Sequence, residues 1–229
     1  MDKLWYLSQI KLFQDLSHED IEYIHTFTDM SNVPKGTIVQ TPYSRHSGIY
    51  FVKEGKLRLY TLNEDGKQFT LGIIGKGNSF GNTNLFSLGT QNVYIESIED
   101  ILICLINNEQ LEQFLLKRPN LLMTILKNLS IKVEEQNHML EELALYDLKH
   151  RALFWIKKLA REFGVDHGDF ITIDLSLSHQ ELANMIGSSR ESVSVILSDL
   201  TNEGIILSGR LKISINKEAL EKGGHLIEL

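Results

Sequence analysis

The 229-residue chain has one cysteine, three prolines and an aromatic content of only 8%. The lone Cys104 permits no internal disulfide, which fits a reducing compartment, and it cannot supply the four thiolates an iron–sulfur cluster ordinarily takes. No apolar run approaches the roughly 18 residues of a membrane span. The opening MDKLWYLSQIKLF mixes charge into an amphipathic pattern and lacks a signal-peptide core and cleavage site. A cytoplasmic protein with no membrane partner is therefore expected. Histidines stand at His18, His25, His46, His138, His150, His167, His179 and His225, and none makes an i,i+4 metal-ligand pair. No segment combines a nucleophile, a base and a third orienting group, so no enzyme activity, metal or cofactor is expected. Basic charge is also short: the net charge is -7. Residues 1–145 carry -5 of it and residues 146–229 carry -2. An acidic total disfavours unspecific nucleic-acid binding but leaves room for a locally basic face.

What is present changes texture along the chain. The first 30 residues read as short helices, one of them opened by Ser17 as cap. From about residue 33 to 106 glycine is frequent and alternation replaces helical spacing. GKLRLYTL alternates around Leu57, Leu59 and Thr61, and QFTLGII around Phe69, Leu71 and Ile73, with Asp65-Gly66 as a hairpin turn between them. The continuous run DILICLI reads as a buried strand and makes Cys104 structural. This is an antiparallel β domain.

Pro119 opens a long helix. Leu115, Leu122, Leu126, Leu129, Val133, Gln136, Leu140 and Leu143 follow heptad spacing, the narrow seam a coiled-coil partner needs. Dimerisation through residues 119–145 is the expectation; burial of the seam inside one subunit is the alternative. Gln136 sits on that seam with Asn137 beside it, either to fix register or to meet a ligand.

The C-terminal third reads as a helix from LYDLKHRAL to Gly164, a strand FITIDLSLS, two short helices and a hairpin IILSGRLKISI turning at Ser208-Gly209. Ser178 and Glu181 form a capping box, Ser188 and Glu191 can form a second, and Gly187 lies in the turn between the helices. In IGSSRESVSVILSDLTNEGII, Val193, Ile196, Leu197 and Leu200 recur at helical spacing and face a core. Arg190, Glu191, Ser194 and Ser198 fall on the opposite side. Two helices, a tight turn and a flanking hairpin make a winged helix-turn-helix, whose second helix enters a DNA major groove. Arg190 can bind guanine bidentately and Glu191 can accept from cytosine N4, with Ser194 one turn on. Ser189 and free backbone N–H groups suit a phosphate. His179 and Gln180, with Arg210 and Lys212 in the wing, suit the DNA backbone. The same surface on an ordinary helical hairpin would simply be solvated.

SHQELANMIGSSRESVSVILSDLTNEGII resembles the helix-turn-helix of the Crp–Fnr superfamily of bacterial transcription regulators. IYFVKEGKLRLYTLNEDGKQFTLGIIGKGNSFG resembles that family's β-roll sensor domain, and YDLKHRALFWIKKLA its hinge and following helix. The resemblance covers nearly the whole chain. It implies an α+β protein: a double-stranded β-helix (β-roll, cyclic-nucleotide-binding-like) in 1–118, a dimerisation helix in 119–145 and a winged helix-turn-helix in 146–229. It implies a homodimer on a palindromic double-stranded DNA site, with RNA polymerase as a further partner if the protein activates. Recognition residues carry over to Arg190, Glu191 and Ser194. Val195 stands where many members have a second arginine, and can meet a thymine methyl. A module that binds ligand or protein, with a helix-turn-helix that no longer reads DNA, is the alternative.

The sensor departs from the nucleotide-binding pattern. In members that bind cyclic nucleotides the glycine matching Gly81 precedes a glutamate for the ribose, and an arginine-serine pair holds the phosphate. Here Asn82 replaces the glutamate, Gln91 and Asn92 stand near the arginine-serine position, and the loop is about two residues short. Without the cation, the charge-assisted bond that would hold an anion is missing. Thr83 and Asn84 stand where the haem-binding branch has its axial histidine. No cyclic nucleotide or haem is expected. The effector is unknown: Asn82, Gln91, Asn92, Gln136 and Asn137 either line a neutral polar pocket or satisfy one another and lock the dimer.

Overall fold

The computed structural model describes residues 16–26, 28–44, 48–83 and 86–221. It divides into two compact units, one running to Lys67 with Leu71–Lys132 and the other from Val133 onward with Gln68–Thr70.

In the first unit α1 (His18–Thr26) starts at Ser17, whose Oγ accepts from the Asp20 N–H at 3.2 Å. Other helices expected in the first residues, and His46, Asn84 and His225, lie outside the described residues. The strands are β1 (Thr28–Val33), β2 (Ile38–Gln40), β3 (Gly48–Glu54), β4 (Leu57–Leu62), β5 (Gln68–Ile74), β6 (Ser79–Asn82), β7 (Tyr94–Ser97) and β8 (Ile101–Asn107). They form two four-stranded sheets, ordered β1-β8-β3-β6 and β2-β7-β4-β5. β8 is apolar from Ile101 to Ile106 because both its faces are covered there. Ile101 and Ile103 join Val52, Leu57, Leu59, Phe80 and Ile95 in one core cluster, while Cys104 and Ile106 pack with Ile49, Phe51 and the helices in another.

Two readings of this region shift. The Asp65-Gly66 turn is present, with Gly66 at φ 76, but the loop is closed further out, by the Asn63 N–H donating to Lys67 O at 3.1 Å. β5 then buries Thr70 and Ile74 and exposes Leu71, the reverse of the expected face. A one-residue change of register flips every side chain of a strand. Leu115, placed on the long helix by heptad spacing, belongs instead to α2 (Asn108–Leu116) and is fully buried in the core. The chain breaks at Arg118, since the residue before Pro119 is pushed out of helical geometry.

The 27-residue α3 (Pro119–Leu145) buries Leu121 and Ile125 against that core, with Leu122 and Leu129 partly packed on it. Of the remaining apolar seam positions, Leu126, Val133 and Leu140 face outward at 58%, 55% and 63% exposure, and Leu143 is half-buried.

In the second unit Asp147 caps α4 (Leu148–Phe163), its carboxylate accepting from the His150 N–H at 2.8 Å. Then come β9 (Gly164–His167), β10 (Phe170–Ile173), α5 (His179–Ile186), α6 (Arg190–Asn202), β11 (Ile206–Gly209), β12 (Lys212–Asn216) and α7 (Lys217–Glu221). The sheet order is β11-β12-β10-β9. FITIDLSLS pairs as a strand only over Phe170–Ile173, and its alternation persists in the buried Leu175 and Leu177. The expected buried face of α6, Val193, Ile196, Leu197 and Leu200, is buried. The wing turns at Arg210-Leu211, not Ser208-Gly209, because Gly209 is paired with Lys212 and Leu211 takes the left-handed conformation at φ 60. Turn chemistry alone favoured Ser-Gly; the ladder register decides otherwise.

Candidate nucleic-acid interface

The start of α5 is fixed by the expected box. Glu181 N–H donates to Ser178 Oγ at 3.1 Å, and Ser178 N–H donates to Glu181 Oε2 at 2.6 Å. Gly187 closes the helix at φ 69, a conformation that costs a residue with a Cβ. The N–H groups of Gly187 and Ser188 both return to Ala183 O. That use of Ser188 corrects the second box. Ser188 terminates α5, so Ser189 becomes the cap of α6 and accepts from Ser192 N–H at 3.2 Å. Ser192, one of the serines crowded at this helix start, has its hydroxyl 3.0 Å from that of Ser189, a pairing that spacing did not predict. Arg151 was not anticipated: it reaches from α4 to donate to Ile186 O at 3.2 Å and so ties down the end of α5. Its signal in the sequence was only a cation at a position that now proves half-buried.

This turn aims the first residues of α6 outward. Arg190 and Glu191 are exposed, and neither makes a side-chain hydrogen bond or ion pair with any described residue. Exposed in this way, the guanidinium and the carboxylate keep their full hydrogen-bonding capacity for water or an outside partner. Ser194 is half-buried, one turn further on the same face, and Val195 beside it is exposed. His179 does not stand free: its Nδ1 is 2.7 Å from Ser194 Oγ. Gln180 donates to Asn184 Oδ1 at 2.9 Å along α5. Arg210 at the wing tip and Lys212 just after it are exposed.

The sensor residues are placed differently. Gly81 is buried at φ 115, and a Cβ there would stand 2.2 Å from Gly48 O. Its N–H donates to Thr90 Oγ1 at 2.8 Å, and Asn82 bridges to Ser87. The backbone around this loop is largely satisfied from within. Thr83 N–H donates to Phe86 O at 2.8 Å, Leu88 N–H to Gly81 O at 3.1 Å, and Gln40 Nε2 to Thr90 O at 2.6 Å. Lys132 Nζ on α3 donates to Leu88 O at 2.5 Å. Gln91 and Asn92 occupy an exposed turn, Asn92 at φ 60. Gln136 and Asn137 are exposed on the part of α3 that belongs to the second unit. Among the described residues no three His, Cys, Asp or Glu side chains are grouped to hold a metal ion, and no helix is long and apolar enough to cross a membrane.

Two family models match, a cyclic nucleotide-binding domain over residues 30–118 and a Crp-like helix-turn-helix domain over 145–222. The global nitrogen regulator of Nostoc sp. is 33% identical over 74% of this chain and 77% of its own length. The chain belongs to the Crp–Fnr family of transcription regulators. Within the family it is also similar to the CRP-like cAMP-activated global transcriptional regulator of Mycobacterium tuberculosis, at 24% identity over 97% of this chain and 99% of that one. A CooA mutant from Carboxydothermus hydrogenoformans shares the fold, with a TM-score of 0.74 at 21% identity over 93% of each chain. The expected α+β architecture, with β-roll, long helix and winged helix-turn-helix, is the family's. These relatives are named as regulators, and neither family model describes an enzyme.

Proposed function

We propose that the protein is a homodimeric transcription regulator that reads a palindromic DNA site with α6 of each subunit. One observation carries the reading: Arg190 and Glu191 stand unpaired and exposed at the start of a helix whose other face is buried core. Arg190 takes guanine, Glu191 takes a cytosine N4, and Val195 meets a thymine methyl. Ser189 shares its oxygen with the helix cap, so the Ser189–Ser192 pair offers a phosphate one remaining hydroxyl proton. Arg210, Lys212, Gln180 and His179 flank the groove as backbone contacts. The exposed seam of α3 pairs the subunits and RNA polymerase is the further partner of an activator, all within the cytoplasm. The boundaries at residues 118 and 145 separate sensor, dimer helix and reader.

Cyclic-nucleotide control is not part of this reading. The loop after Gly81 brings no arginine, and the backbone N–H groups of Gly81, Thr83 and Leu88 are already used. Gly81 serves the close pairing of β6 with β3 beside Gly48. Asn82, Gln91, Asn92, Gln136 and Asn137 retain amide groups that suit a neutral polar effector rather than an anion. Purified protein, stripped of small molecules, is used to select sites from random duplex DNA at fixed salt. Arg190→Ala is then tested on the selected palindrome. A loss of about 1–3 kcal/mol per specific contact is expected. Affinity unchanged by the substitution would leave the chain as a ligand- or protein-binding module whose helix-turn-helix does not read DNA.

A further inference from the structure

The bond between His179 and Ser194 joins the first helix of the pair to the reading helix. Its two atoms are 2.7 Å apart. A hydroxyl inside a helix commonly bonds back to the carbonyl four residues earlier. Thr201, in the same helix, does so, donating to Leu197 O at 2.7 Å. Ser194 is turned instead toward the imidazole. The imidazole is itself well placed to control it: His179 is the first residue of α5, held by the capping box at Ser178 and Glu181. Ser194 follows Arg190 by four residues and so shares its side of α6.

We infer that His179 is a specificity-determining positioning residue, which acts through Ser194 by fixing how that hydroxyl faces a base edge. The inference rests on the DNA-reading role proposed above. A serine hydroxyl left to itself rotates and can donate or accept, so it discriminates poorly among bases. In the neutral imidazole with its proton on Nε2, Nδ1 accepts from Ser194 O–H. The serine then presents only lone pairs to the groove. It accepts from adenine N6 or cytosine N4 and disfavours the keto edges of guanine and thymine. Nε2–H remains free to donate to a phosphate. One imidazole thus connects the backbone contact to the base contact, and the tautomer a phosphate requires is the one that makes Ser194 an acceptor.

The test uses full-length dimeric protein and duplexes in which each base pair of the selected half-site is varied, all at one salt concentration. Ser194→Ala should flatten the preference for adenine or cytosine at one position per half-site by about two- to tenfold, the worth of one hydrogen bond. His179→Ala should flatten the same position by a similar factor, leave the other positions within about twofold, and add little to Ser194→Ala in the double variant. His179→Asn, which restores an acceptor near Nδ1, should recover the preference. His179→Gln, which restores a donor near Nε2, should not. The inference is overturned if His179→Ala weakens every duplex equally and lowers the salt slope, for that is a phosphate contact alone. Additive losses, or a lost preference for guanine or thymine, overturn it as well. If Arg190→Ala leaves affinity unchanged, it is the DNA-reading role that fails, and that result is distinct from all of these.

Discussion

Leu140→Glu puts a charge on the seam of α3 and tests whether that face joins two subunits. Leu126, Val133 and Leu140 are between 55% and 63% exposed in the single chain. Full burial of a Val or Leu side chain stabilises by about 1.5–3 kcal/mol, so covering the half that remains exposed contributes about 1–2 kcal/mol per side chain. Each substitution acts twice in a two-fold dimer. Leu140→Glu therefore removes roughly 2–4 kcal/mol of association energy, before the cost of desolvating two carboxylates. The dimer dissociation constant should rise by about thirty- to a thousandfold. Sedimentation velocity over a concentration series reads this directly, with circular dichroism to show that the helix remains. Asn128→Glu, on the exposed outer side of the same helix, is the control and should leave association unchanged. A Leu140→Glu protein that stays dimeric at the same concentrations would refute the seam as the interface.

Two further substitutions address the first unit. Gly81→Ala forces a Cβ to 2.2 Å from Gly48 O at φ 115, and overpacking of that kind costs about 1–3 kcal/mol; thermal denaturation should show a lower midpoint, and an unchanged one would mean the β3–β6 pairing yields easily. Asp20 is held by Arg118, whose Nε donates to Oδ1 at 2.9 Å. The Arg118 side-chain hydrogen bond pulls the Asp20 pKa below the ordinary carboxylate value, against the opposing effect of burial. A depressed folded-state pKa contributes stability above the unfolded value near pH 4 and loses it as the pH falls through the folded value. Asp20→Asn should accordingly destabilise near neutral pH and converge with the parent in strong acid, as denaturant titrations at several pH values would show; a constant gap would exclude the ion pair as its source.

Much of the reader was legible because it depends on neighbours in sequence. Ser178 and Glu181 are three residues apart, and their box follows from helix geometry alone. The buried stripe of α6 follows from spacing, and so do Cys104 and its strand. Where a turn had two claimants the local signal failed. Ser188 was read as the cap of α6 from its spacing to Glu191, but its N–H goes to Ala183 O and Ser189 takes the cap. Ser208-Gly209 was the better turn until pairing with β12 drew Gly209 into the ladder. The inverted face of β5 has the same origin, since register is set by the loop closure at Asn63 and Lys67. Leu115 fitted a heptad that Pro119 had already interrupted.

The sequence by itself determined the order of parts, the buried stripe of α6, the exposed start of that helix with Arg190 and Glu191, and the departure from the cyclic-nucleotide pattern at Asn82. Each is a matter of residue type and spacing along one element. Only the tertiary structure decided that His179 meets Ser194, fifteen residues away on another helix, that Arg151 closes the end of α5, and that Thr83 N–H and Leu88 N–H are taken up by Phe86 O and Gly81 O. Those contacts join elements whose separation along the chain carries no periodic signal, and only packing brings them within hydrogen-bond reach.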